Sequence, residues 1–208
     1  MTTEFRPQDP ERFAEALRRF DEANAADPHQ EPADVGTEPR ELVYARWLTE
    51  WVLRLRPAAS EELRLAARSQ HLCRWKLPRV TFPMTRAGYL RWREELKKFH
   101  AEHAGHILRD LGYPEATIGR VQALNLKRGL PEDAETRVLE DALCLVFLEH
   151  QFAQLAAKTP AEKMMGVVQK TWQKMTPEAR ALAQALPLRE SERNLLQKAL
   201  AAREATGG

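Results

Sequence analysis

Residues 62–75 read ELRLAARSQHLCRW. Ser60 stands ahead of them as a helix cap, and Glu61 and Glu62 fill the first turn, where carboxylates meet the positive end of the helix dipole. Alanine, leucine and arginine then favour a helix that runs to about Trp75 and carries His71 at its end, followed by Arg74 and Arg79. Guanidinium groups in that position can hold phosphate oxygens in pairs, and a histidine beside them can serve as a general base or a metal ligand.

The same periodicity extends in both directions. Phe13, Ala16, Leu17, Phe20 and Ala23 mark one face of a first helix from Pro10 to Asn24, and the proline- and aspartate-rich stretch 26–39 reads as a loop. Arg40 to Leu55 forms the next helix, stopped by Pro57. A proline-punctuated loop, KLPRVTFPM, separates the 62–75 helix from a long one that Thr85 can cap and that reaches Leu111. Gly112 and Pro114 close it and open its successor, which runs to about Arg128. Residues 132–157 include LCLVFLEHQF, too apolar for one face, so this helix is expected at the centre of a bundle. Pro160 to Met175, Thr176 to Leu186 and Arg189 to Arg203 follow, before a disordered ATGG end. The fold class is all-α, organised as one helical domain over 1–175 with a C-terminal helical extension over 176–208 packed on it.

Composition narrows the function classes. Of 208 residues 43% are hydrophobic, enough for a core, and only Cys73 and Cys144 are present, which argues against a disulfide framework or a zinc finger. The longest apolar run falls well short of the roughly 20 residues of a spanning helix, and no apolar signal core is seen, so a cytoplasmic location with no membrane partner is expected. The net charge of +2 hides a polarised distribution. Residues 1–39 hold 4 Lys and Arg against 10 Asp and Glu, whereas residues 40–109 hold 15 against 7. An anion-attracting middle segment follows, partly neutralised by the acidic start. There is no GxSxG, no glycine-rich phosphate loop and no telling Cys–His spacing.

Two segments, RELVYARWLTEWVLRLRPAASEELRLAARSQHL and HAGHILRDLGYPEATIGRVQALNLKRGLPEDAETRVLEDALCLVFLE, resemble the HD superfamily of helical phosphohydrolases, over roughly residues 40–150. The resemblance implies histidine and aspartate ligands for one or two metals that activate water against phosphate esters. Its His-Asp pair is broken here: Gln70, His71 and Leu72 stand in its place, Tyr44 falls near the leading histidine, Lys127 near a later one, and Asp141 at the final aspartate. The chain is closer still, from about residue 10 to 175, to a helical family described as domain of unknown function 4202. RRFDEANAADP, RSQHLCRW, GYLRWREELKKFHAE and LEDALCLVFLE carry that likeness, which implies a shared fold and no reaction.

The candidate chemistry centres on His71 and Asp141, as catalytic groups or metal ligands, with His100 and His103 on one stripe of the long helix as further ligands. Asp141 at the edge of an apolar run must be exposed, paired with a base such as Lys127 or Arg74, or bound to metal. Tyr44, Lys127 and Arg40 could form a metal-free anion pocket with Arg74 and Arg79. Arg86, Arg91 and Arg93 with Tyr89 and Trp92 mix cations and rings in a way also used for base stacking, though a core aromatic and a solvated basic face explain them more simply. Glu140 and His106, the latter toward the edge of that stripe, complete the set available to a metal, whereas His29 and His150 are incidental. The expected function is binding of a phosphate-bearing small molecule or nucleotide at a degenerate metal site, with either a divalent transition metal and residual phosphohydrolase activity or no cofactor. The alternative is a non-catalytic RNA-binding or protein-interaction module using residues 40–109, its C-terminal helices serving for packing or as a homodimer surface.

Overall fold

A computed structural model describes residues 5–33 and 35–205, with side chains up to residue 201. Ten α-helices account for most of them: α1 (Pro10–Ala25), α2 (Arg40–Leu55), α3 (Glu61–Ser69), α4 (Arg86–Asp110), α5 (Glu115–Asn125), α6 (Ala134–Val146), α7 (Phe152–Ala156), α8 (Ala161–Lys174), α9 (Pro177–Gln184) and α10 (Glu190–Ala205). The class is all-α. The 26–39 loop contains one short antiparallel hairpin, β1 (Gln30–Pro32) with β2 (Thr37–Pro39), in which Glu31 faces Glu38.

Local chemistry explains most boundaries. Asp9 accepts from the Arg12 amide at 3.0 Å and Ser60 from the Leu63 amide at 3.1 Å, each tying down an orphan donor of a first turn. Thr85 does the same for α4 through the Gly88 amide at 3.1 Å. At the other end of α4, Gly112 takes φ +71°, so that the Tyr113 amide returns to the Leu108 carbonyl. Gly88 has a second constraint: a Cβ there would lie 2.1 Å from the Pro83 carbonyl oxygen, so the loop before α4 folds directly onto its first turn.

The chain divides into two compact units, 1–139 and 140–208, and the division falls inside α6. In the first, α1 to α5 bury Phe20, Leu48, Trp51, Leu63, Leu65, Leu108, Ile118 and Leu124. In the second, Leu145, Phe152, Met164, Val168, Trp172 and Ala199 are buried, and Gln169 on α8 donates to the Ala199 carbonyl of α10 at 2.9 Å. The helix expected across 132–157 is interrupted by a π segment, Phe147–Gln151, between α6 and α7. Such a bulge lets an all-round apolar stretch shift its buried face within a few residues. Of the ATGG end, Ala205 belongs to α10 and residues 206–208 lie outside the described residues. No helix among the described residues is long and apolar enough to cross a membrane.

Candidate functional site

The helix expected to carry His71 at its end is shorter than its composition suggests. It stops at Ser69, whose hydroxyl donates back to the Leu65 carbonyl at 2.8 Å. The chain then turns tightly: the Leu72 amide reaches the Ser69 carbonyl, the Arg74 amide reaches that of His71, and Cys73 takes φ 55°. A non-glycine residue in the left-handed region is unfavourable by itself. Here Asn24 on α1 compensates, its buried Oδ1 accepting the Cys73 amide at 3.0 Å. Leu72, wholly buried, accepts through its carbonyl oxygen from His100 Nδ1 on α4 at 2.8 Å. His71 therefore projects from a turn fixed by α1 on one side and α4 on the other.

Its neighbours come from α2. Glu41 in the first turn and Tyr44 three residues on share a face, and both are buried. The Tyr44 ring stacks on the imidazole of His71 with centroids 4.0 Å apart and planes 13° off parallel. Glu41 lies 3.3 Å through Oε2 from His71 Nδ1, and 3.6 Å through Oε1 from Arg74 Nε. Asp27, also buried, accepts the Glu41 amide at 3.1 Å and the His29 amide at 2.9 Å, so one carboxylate joins the hairpin to the start of α2. Arg74 lies 5.0 Å over the Trp92 ring, and the Trp92 indole donates to the Leu77 carbonyl at 2.9 Å.

The electrostatics are those of an imidazole among cations, with one carboxyl group beside it. Burial first, then the charges of Arg74, Arg93 and Lys127, hold His71 well below the usual histidine range. Burial raises the Glu41 carboxyl from 4.5 to about 7, against the opposing pull of Arg74 and with a push from Asp27. His100 is likewise held well below the histidine range, mainly by burial. Lys127, in the turn after α5, has φ 57°. Tyr44 thus stacks on His71, and Arg74, Arg93 and Lys127 act on its imidazole.

Other expected site residues have further partners. Arg79 donates to the carbonyls of Phe82, Pro83 and Thr85 and clasps its own loop. Arg40 is 3.4 Å from Glu31, and Arg46 and Arg68 pair with Glu38 and Asp21, so the acidic start does neutralise part of the basic segment. The buried ladder of α4 is Trp92, Leu96, His100, Ala104 and Leu108, an i, i+4 row that centres on His100. His103 is offset from it, half-buried against Phe99, with Nδ1 3.0 Å from the Phe99 carbonyl. Glu41, Asp27 and Arg93 are the site residues that sequence reasoning did not assign. The available signal for Glu41 was a lone acid in a run, ELVYA, whose other members are apolar or aromatic.

Asp141 lies in the second unit and holds a helix start. It is 3% exposed within the second unit, and its carboxylate accepts the Thr176 amide at 2.9 Å and the Thr176 hydroxyl at 2.6 Å. Thr176 is the cap of α9, so Asp141 anchors a helix start. Asp141→Ala is expected to lower stability by about 2 kcal/mol in a denaturant titration, since it strands two donors. Anion affinity should be unchanged in the same variant, and a loss of affinity at intact stability would return Asp141 to the ligand site.

A metal needs several such donors converging. Among the described residues no group of three or more His, Cys, Asp or Glu side chains could hold a metal ion. His71 has one carboxylate at hand, and the Nδ1 atoms of His100 and His103 face backbone carbonyls. The residues present do not fit the metal that the HD resemblance implies.

No curated protein matches the chain, and no solved structure does. The family model described as Domain of unknown function (DUF4202) matches residues 14–196, and the chain belongs to that family.

Proposed function

We propose that the pocket around His71 binds the phosphate of a small molecule or nucleotide through Arg74, Arg93 and Lys127, with the Tyr44–His71 stack as its wall. The observation that carries this reading is the action of three cations on one uncharged, largely buried imidazole. In a partly desolvated setting, cations of this kind attract anions far more strongly than they do at a fully wetted surface. The reading also keeps an HD-like core for the first unit. Its support is that Tyr44 and His71, at two positions assigned to histidine ligands by that resemblance, are stacked, and that Lys127, at a third, acts electrostatically on His71. Cationic side chains then take over the charge that metal would have supplied. No hydrolytic step is assigned.

Isothermal titration with pyrophosphate and with a nucleoside diphosphate tests the reading. One saturable site is expected, weakened about tenfold or more in Lys127→Met, which removes one charged contact. Affinity should also fall as pH rises through 7, because Glu41 then becomes an anion beside the pocket. Absence of binding by either anion, or unchanged affinity in both Lys127→Met and Arg93→Met, would refute it.

A further inference from the structure

The loop after Trp75 and the first turns of α4 form a second feature, which shares Arg93 with the pocket and otherwise lies outside it. Between Glu62 and Glu94 the chain has no Asp or Glu, while Arg74, Lys76, Arg79, Arg86, Arg91 and Arg93 all fall there. Ten of the twelve residues from 80 to 91 are exposed. Among them Val80 is 79%, Met84 76% and Leu90 54% exposed, so three aliphatic side chains stand out from the surface. Among the described residues Lys76, Arg86 and Arg91 have no ion-pair partner, and all three are exposed. Aliphatic tips backed by unneutralised cations are what an anionic lipid surface receives: carbon chains enter the headgroup boundary and guanidinium groups meet phosphate and carboxylate.

We propose that this tip, centred on Val80, Met84 and Leu90, docks the protein peripherally on an anionic membrane surface. The form of the patch favours lipid over other acidic partners. Twelve residues are fewer than the roughly 20–30 that each side of a stable protein interface supplies. A lipid surface needs no complementary shape and can close around exposed aliphatic side chains. Single-stranded nucleic acid would stack on rings, and the one exposed ring here, Tyr89, already has its hydroxyl 3.2 Å from Arg93 and its face 6.0 Å from that guanidinium. The contact requires no spanning helix, and Val80, Met84, Arg86, Leu90 and Arg91 are not among the pocket residues.

Co-sedimentation of the full chain with vesicles decides the matter, using phosphatidylcholine alone and phosphatidylcholine mixed with phosphatidylserine. The mixed vesicles should retain the protein and the neutral ones should not. Arg86→Gln with Arg91→Gln should weaken retention about thirtyfold, and Val80→Ser, Met84→Ser and Leu90→Ser together about tenfold or more. These side chains are solvent-exposed, so circular dichroism of both variants should match the parent. Equal retention on both vesicle types, none on either, or binding instead to a single-stranded oligoribonucleotide that Tyr89→Ala abolishes would overturn the proposal.

Discussion

In Glu41→Gln, stability is expected to climb between pH 4.5 and 7 by about 3 kcal/mol more than in the parent chain, measured by urea unfolding across that window. Glu41 is buried, and its carboxyl is raised from 4.5 to about 7, with desolvation as the main cause. Across that interval the folded chain holds a proton that the unfolded chain has released, so stability falls as pH rises and levels off above 7. The groups bearing on Glu41 are Arg74, Asp27, Arg40, His29 and the adjacent His71, and none of them cancels the burial effect. His71 and His100 act in the opposite sense. Both are held below 6.5, so the unfolded chain binds their protons first, and stability rises with pH up to about that value. In the parent these trends offset one another; the glutamine removes one and exposes the other. Parallel curves for parent and variant would mean that Glu41 is ionised throughout.

Phe20→Ala should cost about 3–5 kcal/mol, the largest effect of a single truncation proposed for this chain. Phe20 is wholly enclosed on α1, on the same face as Ala16 and Asn24. The cavity would open beneath the residue whose amide oxygen holds Cys73 in its left-handed turn. Pocket affinity for pyrophosphate should therefore fall together with stability, whereas Leu90→Ala, at 54% exposure, should change stability by no more than about 0.5 kcal/mol. A loss below about 1 kcal/mol for Phe20→Ala would contradict the packing described for the first unit.

The helices that announce themselves by caps and breakers were the ones readable in the sequence. α2 spans Arg40–Leu55 as its stripe and Pro57 predict, and α4 begins just after Thr85. α3 was harder, because nothing in RSQHLCRW is glycine or proline: its stop depends on Asn24, 49 residues away, accepting the Cys73 amide. The same distance problem hid Glu41, whose importance comes from facing His71 and Arg74 across a helix pair. The hairpin at 30–39 was concealed in a stretch rich in Pro and Asp. Tyr44 stacks on His71, and Arg74 and Lys127 act on that imidazole, because tertiary packing brings α2, the turn after α3 and the turn after α5 to one place. Arg79 had instead three nearby carbonyls to satisfy, and Asp141 a helix start to hold. Spacing along the chain reveals periodic faces, but it cannot rank a guanidinium's local carbonyls against a distant anion.

The most direct measurement of the pocket is a pyrophosphate titration followed on the imidazole resonances of the histidines. If Arg74, Arg93 and Lys127 gather phosphate beside His71, its resonance will shift saturably, with the midpoint given by calorimetry, while that of the exposed His106 stays in place. A His71 resonance that does not move at saturating anion, or one that moves only in step with His106, would contradict an anion site at this position.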